Sequence, residues 1–169
     1  MRRILTRVTL LAWLAVLAGC GFQLRGAYTL PYESIYVAGA DYNLIVAGLK
    51  RAIRGSGSAR LVDKAEDAQA TFLPTNEIRE PTILSLSSAG RVREKRLRYI
   101  YGYRIVDAKG RDLVAPATVE LYRDISYADS DVLAKTQEED LLWRDMEKDL
   151  VQQLLRRIAT AKPQPPEED

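Results

Sequence analysis

Residues whose types could do chemistry fall in three places in this 169-residue chain. Cys20 is the only cysteine, and there is no histidine anywhere. Arg91, Arg93, Lys95, Arg96 and Arg98 put five cations into eight residues. Glu138, Glu139 and Asp140 form an acidic run. The missing histidine excludes a Ser-His-Asp triad and zinc sites of the Cys/His type, and one cysteine cannot close a disulfide within the chain. What remains is a thiol open to acylation, a local positive field and a group of carboxylates. Arginine forks bind phosphate bidentately, so the 91–98 run is the densest candidate anion site. Its competing reading is a charged strand edge that deters aggregation. The acids, with nothing convergent beside them, read as the charge bias of a helix N-terminus rather than an acid/base pair. No metal or cofactor is expected, and neither is catalysis.

The setting of Cys20 says what its thiol is for. Arg2 and Arg3 precede an apolar segment, Ile4 to Ala18, interrupted only by Thr6, Arg7 and Thr9, which is the n-region and h-region of a secretory signal. It is shorter than the ~20 residues of a permanent membrane helix. Leu17-Ala18-Gly19-Cys20 resembles the bacterial lipobox, in which the cysteine is acylated and the signal is cut ahead of it. Residues 1–19 are therefore expected to be removed, leaving Cys20 as a lipidated first residue; an ordinary signal peptide or single-pass anchor is the alternative. Each buried methylene contributes about 0.8 kcal/mol and one chain anchors only marginally, so two or three acyl chains make release negligible. The remaining 150 residues suffice for a single core. Removal takes three arginines and no acid, leaving 22 basic against 23 acidic residues. Overall charge thus gives no reason to invoke nucleic acid, and an anionic ligand must be met by a local patch.

These residues need a scaffold. Ser34-Ile35-Tyr36-Val37-Ala38 reads as a first strand. Asp41 is the expected cap of a helix from Tyr42 to Arg54, with Leu44, Ile45, Gly48, Leu49 and Ala52 on its apolar face. Lys50, Arg51 and Arg54 read as a solvated face. Ala70 to Leu86 is extended, with Pro74 and Pro81 marking edges, bends or bulges. After a turn at Ser87-Ser88-Ala89-Gly90, the next strand puts Leu97, Tyr99, Tyr101, Tyr103 and Ile105 on one face, with Arg96, Arg98 and Arg104 on the other. A stacking platform for nucleic acid is conceivable in those tyrosines, but packing in an exported protein is preferred. Val119, Leu121 and Ile125 share a face of the following strand. A last helix runs from near Ser130 and Asp131 to about Ala159, with Leu142, Met146, Leu150, Leu154 and Ile158 spaced by four. Trp143 is either core or a contact to a partner. The order β-α-β-β-β-α predicts an α+β two-layer sandwich, two helices on one face of a mixed four-stranded sheet. Residues 20–160 form the domain, and the Pro- and acid-rich 161–169 is expected to be a disordered tail.

Cys20-Gly21-Phe22-Gln23-Leu24-Arg25-Gly26 resembles the mature start of the LPS-assembly lipoproteins of Gram-negative bacteria, the LptE family. Leu133-Ala134-Lys135, followed by acids and amides, resembles the family's motif at the start of the last helix. The resemblance implies an outer-membrane lipoprotein, held on the periplasmic side, that plugs the LptD β-barrel, assists its assembly and binds lipopolysaccharide. It implies basic contacts at Lys135 and, in the hairpin, at Arg91 or Arg93, with Lys95 and Arg96 in the same patch. Gly21 after the lipidated cysteine fits release from the inner membrane. A generic lipid-anchored adaptor of another envelope machine is the alternative, and a carboxylate hydrolase is the more distant one.

Overall fold

The computed structural model describes residues 28–127 and 132–161. The signal, Cys20, the Cys-Gly-Phe motif, Ser130, Asp131 and the 162–169 tail lie outside them, as does the side chain of Leu133.

The chain makes β1 (Ser34–Val37), α1 (Leu44–Ser56), β2 (Arg60–Leu61), β3 (Ala70–Leu86), β4 (Val92–Val106), β5 (Asp112–Ser126) and α2 (Val132–Thr160). The strands form one sheet in the order β2-β1-β3-β4-β5. β1 is parallel to β2 and β3, whereas β3, β4 and β5 form an antiparallel meander. The sheet is therefore mixed, with two helices packed on it, but it has five strands rather than four. The fifth is a two-residue piece at Arg60–Leu61, extended just long enough to pair with Ser34 and Ile35.

The N-terminus of α1 departs from expectation. Asn43, not Asp41, caps it, and its Oδ1 accepts from the Ile45 and Val46 amides at 2.9 and 3.0 Å. Asp41 instead accepts from Lys50 Nζ at 2.7 Å. Starting at Leu44 turns that residue outward, 60% exposed, and the buried face is Ile45, Val46, Leu49 and Ile53. Gly57, with φ of 63°, closes the C-terminus in the left-handed conformation that glycine adopts without penalty. Gly48 lets the helices approach: a Cβ there would lie 2.8 Å from Val151 Cγ2.

The core lies between sheet and helices. Leu97, Tyr99, Tyr101, Tyr103 and Ile105 are all buried, as their alternation predicts. Met146, Leu150, Leu154 and Ile158 of α2 are fully buried against them, with Leu142 partly so. Phe72 stacks on Tyr103 with centroids 5.3 Å apart.

One feature of the sheet sets its shape. β1 covers β3 only over Ala70–Phe72, so among the described residues the rest of β3 has no strand on that edge, and Pro74 and Pro81 both fall on it, where a missing donor costs least. At ~3.3 Å per residue the β3–β4 hairpin extends about 50 Å from Ala70 to its tip. The base carries the chain's entry: Tyr28 O accepts from Ser58 Oγ at 2.9 Å, just beyond the end of α1. α2 starts towards the tip, where Lys95 meets Glu139, and ends near the base, where Arg157 meets Thr118 O.

Candidate functional site

The tip is a four-residue turn. Ser87 N donates to Arg91 O at 2.7 Å, Gly90 N to Ser87 O at 2.9 Å, and Arg91 N to Ser87 Oγ at 3.1 Å. Gly90 takes φ of 72°, which the turn requires. Strand alternation then divides the basic run between two faces. Lys95 shares the parity of Leu97, towards the helices, and Arg96 and Arg98 fall on the bare face, while a bulge at Arg93 interrupts the alternation before Arg91.

The five cations are not equivalent. Lys95 Nζ donates to Glu139 Oε2 of α2 at 2.7 Å and lies 5.3 Å from the Tyr127 ring centroid. The Glu139 and Tyr127 hydrogen bonds raise its pKa above the usual lysine value, outweighing burial. Arg96 forks onto Asp124, Nε to Oδ1 at 2.7 Å and Nη2 to Oδ2 at 2.8 Å, and its Cζ is 5.0 Å from the Tyr122 ring centroid. Arg98 spans two strands, donating to Glu120 of β5 and, at 2.9 Å, to Glu80 of β3. Lys135 is paired with Glu138 at 2.7 Å, one helical turn on. Arg93 is exposed and has no acid within ion-pair reach among the described residues. Arg91 is exposed at the start of the strand.

The hairpin tip therefore carries Arg91 and Arg93, with Lys95 next along the strand beyond the bulge. It does not group them with Arg96 and Arg98, whose charges are met by carboxylates across the ladder. A phosphate reaching Arg96 would have to displace Asp124 from a two-bond fork. Displacing Glu138 from Lys135 breaks only an i,i+3 pair on a helix surface, a contact of a few tenths of a kcal/mol.

Trp143 belongs to the layer between helix and sheet, edge-on to Tyr99 with centroids 6.1 Å apart. Tyr99 and Tyr101 are core residues, so no stacking platform exists on that face. Of the acids, Glu139 is engaged by Lys95 and Tyr127 and Glu138 by Lys135.

Comparison with known proteins adds what geometry cannot. A family model described as lipopolysaccharide-assembly, LptE, matches residues 32–158, most of the described chain. The chain belongs to the LptE family. The LPS-assembly lipoprotein LptE of Photorhabdus laumondii is 26% identical over 158 residues, covering 90% of this chain and 85% of the relative. That of Yersinia pestis strain Pestoides F is 30% identical over 161 residues, covering 90% and 75%. Among solved structures, lipoprotein B from Nitrosomonas europaea superposes with a TM-score of 0.71 at 39% identity, covering 82% of this chain and 90% of that one. A minor lipoprotein from Acinetobacter baumannii, 23% identical with a TM-score of 0.65, covering 80% and 99%, shares the fold. The sandwich is thus that of LptE-like lipoproteins, and family membership carries a lipopolysaccharide-assembly role.

One grouping of charges joins Arg51, expected only as part of a solvated face, to two cations of α2 that the sequence did not single out. Arg51 of α1 and Arg144 and Lys148 of α2 are exposed on the outer surface of the helix layer, and none forms an ion pair with a described residue. The row Arg144, Lys148, Gln152, Arg156 at intervals of four was the available signal; its approach to Arg51 depends on how the helices dock.

Proposed function

We propose that the chain is an outer-membrane lipoprotein, anchored through acylated Cys20 on the periplasmic side. It forms a complex with the LptD β-barrel, plugs that barrel, assists its assembly and contacts lipopolysaccharide as it passes. It does so without catalysis. Family membership supports this reading, and the observation that carries it is the hairpin: a sheet rooted at the anchored end and projecting about 50 Å, with Arg91 and Arg93 at its tip. The bare face of the sheet suits a wet lumen, because its charges are neutralised in the ladder Glu80–Arg98–Glu120 and the pair Arg96–Asp124. Lipid A phosphates meet the tip arginines first. Lys95, Arg96 and Lys135 join by exchanging a carboxylate for a phosphate.

The test is depletion of the protein with two readouts, surface lipopolysaccharide and what copurifies with a C-terminally tagged copy. A large outer-membrane barrel recovered in near one-to-one amount, together with a fall in surface lipopolysaccharide, is the expected result. No barrel and unchanged surface lipopolysaccharide would reject the reading.

A further inference from the structure

On the outer side of the helix layer, away from the sheet, α1 and α2 border an open groove of ≈ 680 Å³. Leu44, Gly48, Ala52 and Val151 supply its apolar lining, and Arg51, Arg144, Lys148 and Gln152 its polar rim. The volume is that of a small-molecule site. Gly48 gives the groove its depth, since any side chain there would meet Val151. Glu147 is the sole acid among the lining residues, and it is committed: Arg79 Nη1 donates to its Oε1 at 2.9 Å, and its side chain is 12% exposed. The rim thus presents three cations with no described counter-charge above an apolar floor.

That combination matches a molecule with an acyl chain and an anionic head. We propose that the α1–α2 groove seats one anionic glycerophospholipid of the leaflet to which the chain is anchored. An acyl chain covers Leu44, Ala52 and Val151, and the headgroup phosphate lies between Arg51, Arg144 and Lys148. Burying methylenes drives the first contact, and charge-assisted bonds from the arginine forks fix the second. The source of the lipid follows from the tether, a clause that rests on the acylated Cys20 of the proposed function. Cys20 precedes Tyr28 by eight residues, a reach of at most about 28 Å, and Tyr28 is bonded at the end of α1. α1 is itself only about 20 Å long. In the anchored chain, before it enters the barrel, the groove is therefore within reach of leaflet phospholipids at high effective concentration. The site is distinct from the hairpin tip, at the other end of the molecule from the anchor.

Native mass spectrometry of the full lipidated chain, extracted in detergent, tests this. It reads the covalent acyl mass on Cys20 and a non-covalent lipid adduct separately, so loss of the anchor reading and loss of the groove reading look different. Titration with phosphatidylglycerol should give one adduct per chain, with at least tenfold preference over phosphatidylcholine, and glycerol phosphate without acyl chains should not compete. Arg144→Glu/Lys148→Glu should weaken the adduct tenfold or more. Arg144→Gln/Lys148→Gln, which introduces no new charge on the helix, should do the same while barrel copurification is retained. No adduct, an adduct indifferent to headgroup charge, or an adduct unchanged in the glutamine variant overturns the proposal. Displacement by equimolar lipopolysaccharide also overturns it, assigning the groove to the delivered amphiphile.

Discussion

Arg79 of β3 lies with its Cζ 4.7 Å from the Trp143 ring centroid of α2, while its Nη1 donates to Glu147 one turn further along the same helix. The same guanidinium is 5.3 Å from the Tyr99 ring centroid. One side chain on the free stretch of β3 thus binds a helix by stacking and by charge together. Arg79→Lys keeps the charge but loses the planar fork and the stack. Its expected cost is about 1 kcal/mol, read as a lower urea midpoint with unchanged slope. An unchanged midpoint would show that the stack contributes nothing.

Lys95 and Glu139 fasten the hairpin to α2, and their linkage has opposite signs at the two ends of the pH scale. Burial alone would raise the Glu139 carboxyl, but Lys95 and then Tyr127 outweigh it and hold its pKa below the usual value. Its stabilisation is present above the unfolded glutamate pKa of about 4.3 and is lost as pH falls through the folded value. The Lys95 contribution is present below about pH 10.4 and is lost as pH rises through its elevated folded value. Glu139→Gln should therefore cost about 1 kcal/mol at neutral pH. Its difference from wild type should shrink between roughly pH 5 and 3. Unfolding midpoints across that range check it; a pH-independent difference would reject the linkage.

The alternation of β4 was legible because a strand buried on one face writes its burial into every second residue, and Leu97 to Ile105 did so without interruption. The four-residue spacing of α2 was legible for the same reason. Ion pairs were not. Arg96 meets Asp124 28 residues away, and that meeting depends on the β4–β5 register, which irregularities near Tyr103 and Ile105 shift. Asp41 and Asn43 are equally plausible caps in sequence, and the Asp41–Lys50 contact decides between them. The groove was least legible, because Arg51 and Arg144 are brought together only by the docking of two helices separated by the whole meander.

Tyr99 and Tyr101 are equally buried but differ at their hydroxyls. Tyr99 Oη donates to Glu77, whereas Tyr101 Oη has no partner among the described residues. Tyr99→Phe should cost about 1 kcal/mol, while Tyr101→Phe should be neutral or stabilising by a similar amount. Burial first, and then the Glu77 carboxylate, pushes both hydroxyls well above the ordinary tyrosine value. Their contribution is full below the unfolded tyrosine pKa of about 10 and declines as pH rises beyond it. Tyrosinate absorbance should therefore appear with unfolding rather than before it. Ionisation of these two groups in a chain still folded by circular dichroism would contradict their burial.

Arg93 and Arg98 separate the two possible anion surfaces of the hairpin. Arg98 is already occupied by Glu80 and Glu120, so Arg98→Glu places three carboxylates together on the bare face and should lower the melting temperature. Arg93 is exposed without a described counter-charge, so Arg93→Glu should leave the melting temperature unchanged. Lipopolysaccharide binding should respond in the reverse order. Loss of one charge-assisted contact at the tip is worth about tenfold in affinity, and reversal adds repulsion against the lipid A phosphates. Purified variants compared for lipopolysaccharide binding and thermal unfolding give the answer directly. If Arg98→Glu weakens binding in a chain that stays folded while Arg93→Glu does not, the ligand lies along the bare face and must compete with Glu80 and Glu120. If Arg93→Glu alone weakens it, the tip is the contact. The carboxylate pairing of Arg96 and Arg98 then keeps the rest of the hairpin from capturing the same phosphates.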